Sequence, residues 1–195
     1  MTDIVIKGGN VMEKLQIQKL IRPYVKSSKL KVAWQITNTV VPYLGFIYLM
    51  FYMISSGIHY LFVLPISIIP AFLLVRIFIF FHDCTHSSFL KSKKWMSFWG
   101  HIFGVLTFTP FNKWKREHIQ HHRTVGNIDK RGVGDVWTLT VEEYNQASKI
   151  KKLGYKLYRH PLILFVIGPI YLFVIHERLP INLKTKGDWF SVIFT

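Results

Sequence analysis

Two apolar runs, residues 32–54 and 58–81, stand three residues apart, and no other feature restricts this chain's fold so strongly. The first, 23 residues long, is relieved only by Gln35, Thr37, Asn38 and Thr39. The second, 24 residues long, carries Pro65 and Pro70, where kinks are expected. As a helix, either run reaches about 34–36 Å, enough to cross a hydrocarbon core of about 30 Å with some tilt. The short link 55–57 then makes a tight transmembrane hairpin. Its tip has no Lys or Arg, whereas Lys7, Lys14, Lys19, Arg22, Lys26, Lys29 and Lys31 precede it and basic residues crowd again over 91–159. The positive-inside rule places both flanks in the cytoplasm. Arg76, in the last turns of the second run, snorkels toward the same face.

Composition agrees with a membrane protein: half of the 195 residues are hydrophobic. A single cysteine, Cys84, excludes an intrachain disulfide. The N-terminus lacks the basic-then-apolar layout of a signal peptide. A net charge of +15 suits nucleic acid, anionic lipid or an acidic partner. The basic residues border apolar spans and match no nucleic-acid-binding motif, so nucleic acid is not an expected partner.

Residues 95–111 are apolar and aromatic but short, and contain Gly100, Gly104 and Pro110. The stretch "PLILFVIGPIYLFVI" at 161–175 reaches only about 22 Å as a helix, and the basic Arg178, Lys184 and Lys186 follow it. Both read as re-entrant or interface-lying helices half-sunk in the cytoplasmic leaflet. A tilted third span is the alternative for the second. Residues 188–195 begin another apolar run and are expected to be the start of a truncated transmembrane helix. The resulting layout is an all-α integral membrane protein. It comprises a cytoplasmic segment (1–31), a transmembrane hairpin (32–81), a cytoplasmic or interfacial histidine-bearing region (82–160), an interfacial or re-entrant helix with a basic loop (161–187), and the tail (188–195).

The chemistry resides in the histidines. His82 and His86 are four apart in "HDCTH", and His118, His121 and His122 are spaced i, i+3, i+4 in "HIQHH", so each set shares a helical face. Five imidazoles in two clusters suit Zn, Cu, Fe or Ni, and ligand type alone does not choose among them. Other metal patterns fail: "HERLP" lacks the second histidine of a zinc-protease helix, no glutamate has a histidine three residues on, and one cysteine cannot form a thiolate cage. His59, His101, His160 and His176 read as polar interface residues. Asp83 and Asp135 are candidates to orient ligating imidazoles, with plain surface carboxylates as the alternative. Cys84 points away from the paired histidine face and reads as packing.

"HDCTH" after a transmembrane hairpin, followed by "HIQHH", resembles the first two histidine boxes of the membrane fatty acid desaturases, nearest the bacterial acyl-lipid desaturases of the Bacillus type. "RIFIFFHDCTHSSF", "NIDKRGVGDVWTLTVEEY" and "YRHPLILFVIGPIYLF" carry the same resemblance beyond the boxes. It implies a four-span fold with a centre of two irons on the cytoplasmic side of a bacterial cell membrane. His82, His86, His118, His121 and His122 would be ligands, O2 the oxidant and membrane-lipid acyl chains the substrate. Phe78, Phe81 and Phe89 would line an acyl tunnel. No flavin or dinucleotide fingerprint is present, so the resemblance also implies an external electron donor like ferredoxin or flavodoxin. Such donors are acidic, and the basic segment 113–131 can dock one; contact with anionic lipid is the alternative, and the leading one for most of these charges. The family's third histidine box is absent from this sequence, so the chain alone is expected to be inactive. Two competing readings remain: a non-catalytic membrane metal-binding or regulatory module, which predicts a stable unit preferring zinc, and a related di-iron hydroxylase.

Overall fold

The computed structural model describes residues 16, 17, 19–21, 28–132 and 134–195. Most of the expected cytoplasmic segment 1–31, with Lys7, Lys14, Arg22 and Lys26, lies outside the described residues. Every regular element among the described residues is helical. The chain divides into two compact units, one ending at Thr107 and one beginning at Phe108.

The first unit is built on the hairpin. Helix α1 (Lys29–Ser55) has 27 residues and α2 (Tyr60–Thr85) has 26. Both are long and apolar enough to cross a membrane. The turn between them closes because Gly57 adopts φ +82°, a left-handed conformation that costs glycine little. Its N–H bonds the Ile54 carbonyl, while the Ser56 N–H bonds that of Tyr52. Both helices run unbroken through their prolines: Pro42 in α1, Pro65 and Pro70 in α2. Most of their side chains are exposed, among them Phe51, Phe62, Phe72 and Ile79, as lipid-facing surfaces require. Helix α3 (Lys93–Leu106) has 14 residues, about 21 Å, too short to span. Its Ser92 cap accepts from the Trp95 N–H, and it buries Met96, Gly100, Phe103 and Gly104. The core is aromatic: the Phe103 ring lies 5.7 Å from Phe80 and 5.9 Å from Phe89. Phe81 and Phe89 are themselves buried.

The second unit holds α4 (Phe111–Thr124), α5 (Val141–Gln146), α6 (Lys149–Tyr158), the helical run α7 (Ile163–Arg178) and α8 (Lys186–Phe194). The helix expected over 161–175 is found, and much of it is π-helical: Ile163–Ile167 and Tyr171–Ile175. Between them lies Gly168–Ile170, and Pro169 can neither donate an N–H nor tolerate the carbonyl four residues back, so the coil widens around it. Helices α6 and α7 are bent by 62° at their junction and together are long and apolar enough for one broken span or a re-entrant loop.

The tail 188–195 forms most of α8, whose Thr185 and Asp188 make a reciprocal capping box. Asp188 and Ser191 are buried, while Trp189, Phe190 and Ile193 are exposed. Asn112 Nδ2 donates to the Gly187 carbonyl at 3.0 Å, and Arg116 Nε donates to Asp188 Oδ2 at 3.1 Å, tying α8 to α4. Burial by itself would raise the Asp188 pKa, but N–H groups of Lys184 and Thr185, the Thr185 hydroxyl and the Arg116 charge outweigh it and hold the carboxyl below its ordinary value. A depressed folded pKa gives stability present above the unfolded value, near pH 4, and lost as pH falls through the folded one. Asp188→Ala is therefore expected to cost about 1–3 kcal/mol locally. Amide exchange should show lost protection over 189–194, and wild type should lose the same protection in acid after correction for intrinsic rates.

Candidate metal centre

In the first unit, "HDCTH" falls on the last turn of α2. The His82 and His86 rings are 4.5 Å apart, and their ligand nitrogens lie within 4.8 Å. His86 caps the helix, its N–H bonding the His82 carbonyl at 3.2 Å. The chain then turns through Ser87 at φ +59°, and the Ser88 N–H reaches back to the Asp83 carbonyl at 3.1 Å. A serine there costs about 1–3 kcal/mol of backbone strain, and nothing in the sequence marks it. Thr85 and Cys84 face inward and are buried. Asp83 Oδ1 stands 3.6 Å from His82 Nδ1, beyond a good hydrogen bond.

In the second unit, α4 carries the other three. His118 Nε2 and His122 Nε2 approach to 2.9 Å, one helical turn apart. The Trp114 ring stacks on His118 at 4.2 Å and limits its rotation. His121 turns elsewhere: its Nδ1 meets Asp135 Oδ1 at 3.1 Å, and its ring centre is 6.3 Å from His118 and 6.0 Å from His122. Asp135 is itself set by the Gly132 N–H, which donates to Oδ2 at 3.0 Å.

The remaining histidines do local work. His59 and His160 accept the N–H groups of Leu61 and Leu162, and His101 Nδ1 lies 2.7 Å from the Ser97 carbonyl. His176 neighbours Glu177 at 3.6 Å.

Three cations of the segment 113–131 are engaged within the second unit. Lys113 is 1% exposed and stands 3.2 Å from Glu177, which is also buried. Arg116 is held by Asp188 and by the Asn182 carbonyl, and Arg131 by Glu143. Sequence reasoning missed the Lys113–Glu177 pair. Its one available signal was a carboxylate closing an apolar run that would have to find a cation. Burial pushes the neighbouring Glu117 carboxyl up, with Lys113 opposing and Glu177 reinforcing the shift.

A family model described as fatty acid desaturase matches residues 58–193. The chain belongs to the fatty acid desaturase family. It is 44% identical to a fatty acid desaturase of Bacillus subtilis over 163 residues, which are 84% of this chain and 45% of that protein. It is 34% identical over 125 residues to the sn-1 acyl-lipid omega-3 desaturase (ferredoxin) of a Synechocystis species, covering 63% of this chain and 33% of the relative. A third relative, the sn-1 oleoyl-lipid 12-desaturase of Synechocystis, is 31% identical over 157 residues, 75% of this chain and 41% of its own. The chain thus spans less than half the length of these curated desaturases. No solved structure matches it.

Membership of the desaturase family implies iron, and the donors present fit it. Imidazole nitrogen suits iron, and His118 Nε2 and His122 Nε2, 2.9 Å apart, could both be offered to one ion. The contact of His121 Nδ1 with Asp135 favours the tautomer that leaves Nε2 as the donor atom.

Proposed function

We propose that this chain serves an O2-dependent acyl-lipid desaturase, in which His82, His86, His118, His121 and His122 contribute ligands to two irons. The paired imidazoles on α2 and α4, both within the family-matched residues, carry this reading. Iron supplies a centre that changes oxidation state, which a methylene too weakly acidic for any side-chain base requires. Overall, two hydrogens from the acyl chain and two electrons and two protons from outside reduce O2 to two waters. The electrons come from a ferredoxin- or flavodoxin-like donor, in keeping with the relative whose name specifies ferredoxin.

This chain's own residues bind and orient. The His118–Trp114 stack and the Asp135 contact fix ring positions, and Asp83 stands behind His82. The α1–α2 hairpin keeps the chain in the bilayer where the substrate lies, in a bacterial cell membrane with both histidine clusters cytoplasmic by charge asymmetry.

The test is metal stoichiometry. The chain, purified anaerobically in detergent and loaded with Fe(II), is compared with a variant carrying alanine at His82, His86, His118, His121 and His122. Specific iron is expected in wild type and lost in the variant. Equal iron in both would sink the ligand assignment, and strong preference for zinc in competition would favour a non-catalytic metal module.

A further inference from the structure

Helix α6, "KIKKLGYKLY", is oriented inside out for a helix of a water-soluble surface. Tyr155 and Tyr158 face the protein: the Trp137 ring lies 5.3 Å from Tyr155 and 5.8 Å from Tyr158, Tyr144 stands 5.8 Å from Tyr155, and the Trp137 N–H donates to the Tyr158 hydroxyl at 3.3 Å. At 100° per residue, Ile150, Leu153 and Leu157 form one stripe on the side away from those tyrosines. They are 85%, 59% and 52% exposed. Lys149 and Lys156 border the stripe, both exposed and neither in an ion pair among the described residues. An apolar stripe turned outward and edged by lysines is the pattern of a helix lying in a membrane interface.

Two further observations identify the occupant. The bend of 62° carries α6 directly into α7, whose Phe165, Val166, Ile170 and Val174 are exposed apolar surface. If α7 dips into lipid, α6 runs well off its axis at the level where the chain enters. The lysines supply charge complementarity to lipid phosphates.

We propose that α6 is an in-plane anchor that seats Ile150, Leu153 and Leu157 at the headgroup–acyl boundary of an anionic bilayer, with Lys149 and Lys156 on lipid phosphates. The anchor goes beyond the catalytic reading and stands without it. One lysine near an anionic surface is worth about fivefold in the docking equilibrium, so Lys149→Gln with Lys156→Gln should shift it roughly 25-fold.

The test places nitroxide labels on full-length chain in a Cys84→Ala background, one at Ile150→Cys, Leu153→Cys or Leu157→Cys and a control at Lys151→Cys. The protein is reconstituted into vesicles of phosphatidylcholine alone or mixed equally with phosphatidylglycerol. If Cys84→Ala fails to fold, the buried native cysteine is kept and its unlabelled background subtracted. Labels at 150, 153 and 157 should be reached by oxygen more than by a polar relaxant in the anionic vesicles, the control should show the reverse, and the double glutamine variant should lose the difference. Water-like accessibility at all positions overturns the anchor. Equal immersion in both lipids overturns its anionic selectivity, and spin–spin broadening at 153 would assign the stripe to a second copy of the chain instead.

Discussion

Lys113→Met is expected to destabilise the second unit by about 3–5 kcal/mol, the usual cost of leaving one member of a buried ion pair alone. Lys113 and Glu177 are 1% and 5% exposed at their side chains and 3.2 Å apart, yet neither Lys113 Nζ nor Glu177 Oε2 has an aligned hydrogen bond among the described residues. Attraction between the charges is therefore what offsets their desolvation. Glu117, one turn along α4, has its carboxyl pushed up by burial, with Lys113 opposing the shift and Glu177 adding to it. The pair fixes α4, and hence His118 and His122, against the end of α7. The double change Lys113→Met with Glu177→Leu should recover most of the loss, because a well-packed apolar pair often does as well as a buried ionic one. Denaturant unfolding in detergent, read by amide exchange in α4, separates the cases. A single variant as stable as wild type would show that water reaches the pair.

The hairpin was legible because apolar length is a solvation property that needs no tertiary knowledge. Observed helices at Lys29–Ser55 and Tyr60–Thr85 overlie the expected 32–54 and 58–81. The second runs four residues further, since hydropathy ends at Phe81 whereas helical hydrogen bonds continue through the polar histidine box. Spacing likewise announced the His82–His86 and His118–His122 pairs, since i, i+4 residues must share a face. His121 shows where spacing stops being informative: it shares the same stretch but follows Asp135, fourteen residues on, around a loop shaped by Gly132 and Gly134. Partners that distant leave no local trace. Lys113 with Glu177 is the same lesson at longer range. Phe89 packs on Phe80 of α2 and Phe103 of α3, and Phe81 is buried beside Phe78. The π-turns of α7 were readable in principle from Gly168–Pro169, whose missing donor has to be accommodated somewhere.

Asp135→Asn is expected to weaken Fe(II) binding about 10–100-fold, the range seen when the carboxylate behind a ligating histidine is lost. Its carboxylate does two things that asparagine cannot do together: Oδ1 faces His121 Nδ1 while Oδ2 accepts the Gly132 N–H. An amide that keeps the loop bond has only an NH2 to offer His121, and a donor there favours the tautomer protonated at Nε2, which removes the lone pair a metal needs. Gly134→Ala should act on the same ring by a different route. A Cβ at residue 134 would lie 3.2 Å from His121 Cγ and Nδ1, and the backbone at φ +75° disfavours any side chain. Both variants should therefore lower iron affinity, while Gly126→Ala, at φ +80° but in open space, shares the backbone strain without touching His121. Competition titrations against a chelator of known affinity provide the comparison. If Asp135→Asn and Gly126→Ala bind iron equally well, Asp135 only braces its loop. If Asp135→Asn and Gly134→Ala fall together while Gly126→Ala holds, the ring of His121 is what both disturb, and its Nε2 belongs to the metal.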